Sequence, residues 1–179
     1  MATAQKIINK AREFLGVKEN PKGSSNVVFN RDYYGYDPNN SSYHWCVVFV
    51  WDVFRLCGAS ALFYNGEKVN NCEKVQAWGK SAGLTVSVKD ARPGDLILYD
   101  WNKNQRADHI GICTGNTGGS ITSIEGNTDD MVAERSHNHN QVCMVIRPGY
   151  RAAGDQTGDQ YVTRAFLKTL LQDALNKLK

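Results

Sequence analysis

The sequence predicts an α+β fold in which N-terminal helices pack on a small antiparallel β-sheet. Helical periodicity and one long apolar run dominate as far as Gly83, and short apolar runs separated by Gly- and Pro-containing turns follow it. Helices first and strands afterwards, with no βαβ alternation, favour α+β over a doubly wound arrangement. A length of 179 residues suits one compact domain with a short appendage.

Residues 4–18 read as an amphipathic helix, because Ala4, Ile7, Ile8, Ala11, Phe14 and Leu15 recur at helical spacing and Gly16 lies near the end. Residues 19–45, rich in Asn, Gly, Pro, Ser and Tyr, predict a long irregular connection of the kind that often carries function. The run Cys46–Cys57 is almost wholly apolar; its valines suit a strand, but a dozen residues closed by Gly58 fit a buried helix better. A third helix is expected over about 71–81, with Val75 and Trp78 three apart. Arg92-Pro93-Gly94-Asp95 is a turn leading into a strand at 96–99. Further strands are expected at 109–113, 120–125 and 141–147, the last closed by Pro148. The main unit therefore spans 1–150. In 151–179 a small, polar linker precedes an amphipathic helix carrying Leu167, Leu170, Leu171, Ala174 and Leu178 on one face.

With 41% hydrophobic and 22% charged residues, the chain is neither disordered nor fibrous. A net charge of +3 without a run of like charges does not indicate nucleic-acid binding. No stretch approaches the length of a transmembrane helix and no signal peptide is visible, so synthesis in the cytoplasm is expected. The five cysteines, at 46, 57, 72, 113 and 143, show no CxxC spacing, which excludes zinc-ribbon and thioredoxin-like readings. At least one stays unpaired in a monomer, and the extra cysteines are expected to be small buried hydrophobes in a reducing compartment.

A cysteine becomes a nucleophile only as thiolate, and a helix start supplies unpaired N–H groups that favour that charge. Cys46 stands at such a start, after polar loop residues; a buried structural cysteine is the alternative. A partner base must itself be oriented by a third group. His109 opens a strand just after a loop, and His44, two residues from Cys46, is its rival. His137 and His139 read as solvated loop residues. Glu125 ends the strand after that of His109, and antiparallel pairing sets the end of one strand beside the start of the other.

Tyr43-His44-Trp45-Cys46-Val47-Val48-Phe49-Val50, Arg92-Pro93-Gly94-Asp95-Leu96, Asp108-His109-Ile110-Gly111-Ile112 and Ile124-Glu125-Gly126-Asn127-Thr128 resemble, in order, the CHAP domain (cysteine, histidine-dependent amidohydrolase/peptidase). The resemblance covers about residues 4–148. It implies a papain-like α+β fold and bacterial peptidoglycan as substrate, cut at the N-acetylmuramoyl-L-alanine amide or within the stem or bridge peptide. Matched motif to motif, it implies Cys46 as nucleophile, His109 as base, Glu125 as the group that orients the imidazole, and Asn127 as a polar member of the site. Phage endolysins of this family that lack signal peptides reach the wall after release by a holin, and the same route is expected here.

The aromatic residues Trp45 and Trp101 are candidates for binding substrate, against the plainer reading of core residues. Asp100, Asn102, Asn104 and Asp108 set oxygen ligands at alternate positions, as at the start of a calcium loop, although Gln105 replaces the turn glycine and no closing glutamate follows. A plain polar hairpin loop is the competing reading, and no cofactor is required. The tail helix is open to docking on the domain, to self-association, or to beginning a wall-binding module. Among rival functions, the NlpC/P60 group places its cysteine in an Asp-Cys-Ser-Gly-like context unlike Trp45-Cys46-Val47-Val48. A catalytically silent wall-binding or scaffolding module would have no need of an intact Cys46, His109 and Glu125.

Overall fold

A computed structural model describes residues 2–150. The linker and amphipathic helix expected over 151–179 lie outside the described residues. Among the described residues four α-helices, α1 (Ala4–Arg12), α2 (Val28–Tyr34), α3 (Cys46–Leu56) and α4 (Cys72–Ser81), precede a six-stranded antiparallel sheet. Its strands are β1 (Thr85–Val86), β2 (Leu96–Tyr99), β3 (His109–Thr117), β4 (Ser120–Thr128), β5 (Met131–Asn138) and β6 (Val142–Ile146), in the order β1-β6-β2-β3-β4-β5. The chain thus runs a meander from β2 to β5 and then returns β6 to the far side of β2.

Thr3 caps α1 by accepting the Lys6 N–H at 3.2 Å, and Ile7, Ile8 and Ala11 form the buried face. The helix ends earlier than the periodicity predicts. Phe14 and Leu15 make turn-type bonds, and Gly16, at φ 85°, donates its N–H to Val132 of β5. The connection 19–45 contains α2, which its composition does not suggest. Phe29 and Asn30 are buried there, so tertiary packing outweighs weak local propensity. The connection is pinned where it must deliver Cys46: Asn30 Nδ2 donates to the Ser25 and Tyr43 carbonyls, at 2.8 and 2.9 Å.

Every residue of α3 from Cys46 to Phe54 is buried, which explains a helix that is apolar on all sides. It packs against β3 and β4. The pairing Leu98↔Ile110 and Ile112↔Ile124 points one set of strand residues into that helix-facing core. The alternate set, including Tyr99, His109, Ser123 and Glu125, lies on the other face. Ile97, Cys113, Ile121 and Val145 form a second, smaller core there, so β2 is buried on both sides. Asp95 anchors the predicted turn by accepting the Arg92 N–H and an ion pair from Arg147 at 2.8 Å.

Candidate active site

Cys46 is the first residue of α3, and the residue before it, Trp45, supplies no side-chain cap to the helix. At this uncapped start the Val47 N–H is hydrogen-bonded to the thiol. Trp45 itself is fully buried, stacks on Phe29 and donates its indole N–H to Glu19 Oε1 at 2.8 Å. The expectation that Trp45 touches substrate is therefore corrected: it is a wedge that fixes where α3 begins. Glu19 also accepts the Ser25 N–H through Oε2, so one buried carboxylate ties the loop to the helix start.

His109 is the first residue of β3, and its Nε2 lies 2.9 Å from Glu125 Oε2. The register explains the pairing. Gly111 faces Glu125 across the β3–β4 ladder, so His109, two residues earlier on the same face, is a diagonal neighbour of Glu125. Gly111 is needed for this, because a Cβ there would stand 2.8 Å from Glu125 Cγ and 2.7 Å from Ser123 Oγ. Gly126 serves on the other side of the strand. A Cβ would meet Phe49 Cβ at 2.4 Å, so its absence lets β4 close onto α3.

Glu125 is 1% exposed and accepts three hydrogen bonds, from His109, from Ser123 Oγ at 2.7 Å and from His137 Nε2 at 2.9 Å. Tyr99 joins the network through Ser123, at 2.7 Å. His137 was expected in a solvated loop. It lies instead opposite Ile121 on β5, an edge strand, and its ring reaches back to Glu125. The alternation of 131–138 was the available signal, masked by the polarity of its residues.

With Nε2 engaged by Glu125, the other ring nitrogen of His109 is left for the thiol. Cys46 is held well below the ordinary thiol range by hydrogen bonding from Cys72, against the opposing effect of burial, and by the hydrogen bond and charge of His109 and the Val47 N–H. Burial pulls His109 down, yet hydrogen bonds and charge from Cys46 and Glu125 prevail and push it up to about 10. Burial raises Glu125, but the His109 hydrogen bond and charge, with Ser123 and His137, bring it below the ordinary carboxyl value. These shifts all run in the direction that favours a thiolate–imidazolium pair backed by a carboxylate.

Compared with known protein families, residues 36–127 match the CHAP domain. The chain belongs to the CHAP-domain family. The family fold is papain-like α+β, which the helices and antiparallel sheet described above match. Among solved structures, the crystal structure of Ly7917 is similar, with a TM-score of 0.50 at 15% identity, over 82% of this chain and 62% of that one. The chain thus spans less than two-thirds of Ly7917's length, and the likeness speaks to the fold. Comparison with curated proteins gave no match.

The other residues of this CHAP domain fall into place around the triad. His44, the rival base, is exposed in the loop before Trp45. Asn127, the last residue but one of β4, has its backbone in the left-handed region, φ 56°, at the irregularity between Glu125 and Thr128. Trp101 is 43% exposed and stacks on Tyr99 at 5.0 Å, with the His109 ring 6.0 Å away. It forms an apolar shelf beside the imidazole.

The calcium reading of Asp100, Asn102, Asn104 and Asp108 does not fit the donor set. Asp100 accepts the Asn104 and Gln105 N–H groups, Asn102 accepts Asn104 N–H, Asn104 accepts Arg106 N–H, and Asp108 accepts Trp101 N–H. The oxygens are turned on the loop's own backbone, and among the described residues no group of three or more acidic, His or Cys side chains is placed to hold a metal. A cleft of about 830 Å³ between α4 and β6, lined by Gln76, Val142 and Cys143 among others, contains none of the triad.

Proposed function

We propose that the protein hydrolyses an amide bond of bacterial peptidoglycan through a covalent intermediate on Cys46. The bond is the N-acetylmuramoyl-L-alanine amide or a peptide bond of the stem or cross-bridge. The observation that carries this reading is the chain Cys46–His109–Glu125, with the sulfur at an uncapped helix start and hydrogen-bonded to an imidazole that a buried carboxylate holds at 2.9 Å.

Each role follows from position. The Cys46 thiolate attacks the amide carbonyl carbon, and the Cys46 backbone N–H at the start of α3 stabilises the oxyanion. The His109 imidazolium then protonates the departing amine, leaving a thioester. Neutral His109 takes a proton from water, whose oxygen attacks the thioester carbonyl and releases the acid and the thiolate. Glu125 fixes the ring and stabilises its positive charge, Asn127 adds a polar group at the site's edge, and Trp101 offers a face for the substrate.

Mass analysis of fragments released from purified walls tests the reaction. New amino termini on the first alanine identify an amidase, and new termini within the peptide identify an endopeptidase. Release of reducing sugar without new amino groups, or no release at all, overturns the proposal, the latter leaving a wall-binding or scaffolding module. His109→Ala is expected to abolish release, whereas His44→Ala keeps most of it.

A further inference from the structure

Cys72, the first residue of α4, places its sulfur 3.7 Å from that of Cys46. Both residues are 7% exposed, and they open two different helices whose starts converge at the site. Among the described residues, no other pair of cysteine sulfurs is in contact. A disulfide needs the sulfurs about 2.05 Å apart, so closing the pair takes a movement of under about 2 Å, within reach of side-chain rotation.

We propose that Cys72 is a resolving thiol for Cys46, so that peroxide oxidation of Cys46 is captured as a reversible Cys46–Cys72 disulfide that switches the site off. In the first step the Cys46 thiolate attacks hydrogen peroxide. The S–O bond forms as the O–O bond breaks, giving Cys46–SOH and hydroxide, with sulfur oxidised by two electrons and peroxide reduced. In the second, Cys72 sulfur attacks Cys46 sulfur and displaces its oxygen, which leaves as water with the Cys72 proton. A dithiol reductant reverses the bond by exchange and is itself oxidised to a cyclic disulfide.

The surroundings order these steps. Cys46 is the sulfur stabilised as thiolate, by His109 and by the Val47 N–H, so it meets the oxidant first. Cys72 is kept protonated, chiefly by its hydrogen bond to Cys46 and then by burial and the Cys46 charge. Once Cys46 carries a neutral S–OH, the negative neighbour is gone and Cys72 is free to react. Without a thiol at 72, the sulfenic acid has no partner and proceeds to irreversible higher oxides. The proposal rests on Cys46 as nucleophile only for its activity readout; the bond itself does not require that reading.

The test treats the full chain with a small excess of hydrogen peroxide, alkylates it under denaturing conditions, and maps the peptides. A Cys46–Cys72 cross-linked peptide is expected, two hydrogens lighter than the reduced pair. Wall hydrolysis should fall by more than about tenfold and return with dithiothreitol. In Cys72→Ser, measured against its own untreated rate, the loss should persist after dithiothreitol and Cys46 should appear as sulfinic acid. Cross-linking through other cysteines, sulfinic acid at Cys46 in the parent chain, or full recovery of Cys72→Ser overturns the inference. A cross-link in a protein that never hydrolyses walls supports the disulfide and defeats the proposed function instead.

Discussion

Replacing Glu125 with Gln isolates the contribution of one buried charge. The carboxylate takes His109 on Oε2, and Ser123 and His137 on Oε1. Gln keeps the shape but offers one acceptor oxygen and a donor amide. If the oxygen stays on His109, the hydrogen bond survives as a neutral one of roughly half the strength, a loss of about 1 kcal/mol. If the amide faces His109, the charge-assisted bond is lost outright, about 1.5–3 kcal/mol, and the ring is driven toward the tautomer with its proton on the side of the thiol. Transition-state stabilisation should therefore fall by about 1–3 kcal/mol, or roughly five- to 150-fold in kcat/KM. The same loss should lower the His109 pKa from about 10 by about 1–2 units, since each unit corresponds to 1.36 kcal/mol. Release of amino groups from purified walls gives the rate, imidazole NMR gives the titration, and circular dichroism checks the fold. A folded Glu125→Gln variant with parental kcat/KM and an unmoved His109 titration refutes the role of the carboxylate.

Other outcomes follow from the same geometry. Gly111→Ala puts a Cβ 2.7–2.8 Å from Ser123 and Glu125, and should cost about 1–3 kcal/mol of stability by overpacking, read from denaturant unfolding, together with activity. Because the Cys46 pKa is depressed and that of His109 raised, the ion pair persists between the two. Iodoacetamide should alkylate Cys46 rapidly at about pH 6, where an ordinary thiol is almost wholly protonated, and wall hydrolysis should decline as pH rises through about 10 and the imidazolium loses the proton destined for the leaving amine. Trp101→Ala removes an exposed ring stacked on Tyr99. It should leave stability unchanged and raise KM by about two- to tenfold, the worth of one aromatic contact, with kcat less affected.

What could be read from the chain was what period and order encode. The apolar run from Cys46 ends as a helix whose residues from Cys46 to Phe54 are all buried, as a helix enclosed by the core on every side requires. His109 and Glu125 were legible as neighbours once two adjacent strands were expected, because pairing direction and side-chain alternation leave few registers. The second histidine on Glu125 was not: β5 is an edge strand whose polar face imitates a loop. Trp45 and Trp101 are alike as letters, and only the three-dimensional path of the loop decides that one is core and the other a shelf. Cys72 lay furthest from view. Its closeness to Cys46 depends on where two helices begin, and neither hydrophobic period nor cysteine spacing encodes that distance.

Digestion of purified peptidoglycan by the parent chain and by Cys46→Ala, at equal concentration and with the fold of both verified, bears most directly on the thiolate account. The parent should release soluble fragments bearing new amino groups, while the alanine variant should bind or ignore the walls and release none. Fragment release by Cys46→Ala at a substantial fraction of the parental rate would contradict it.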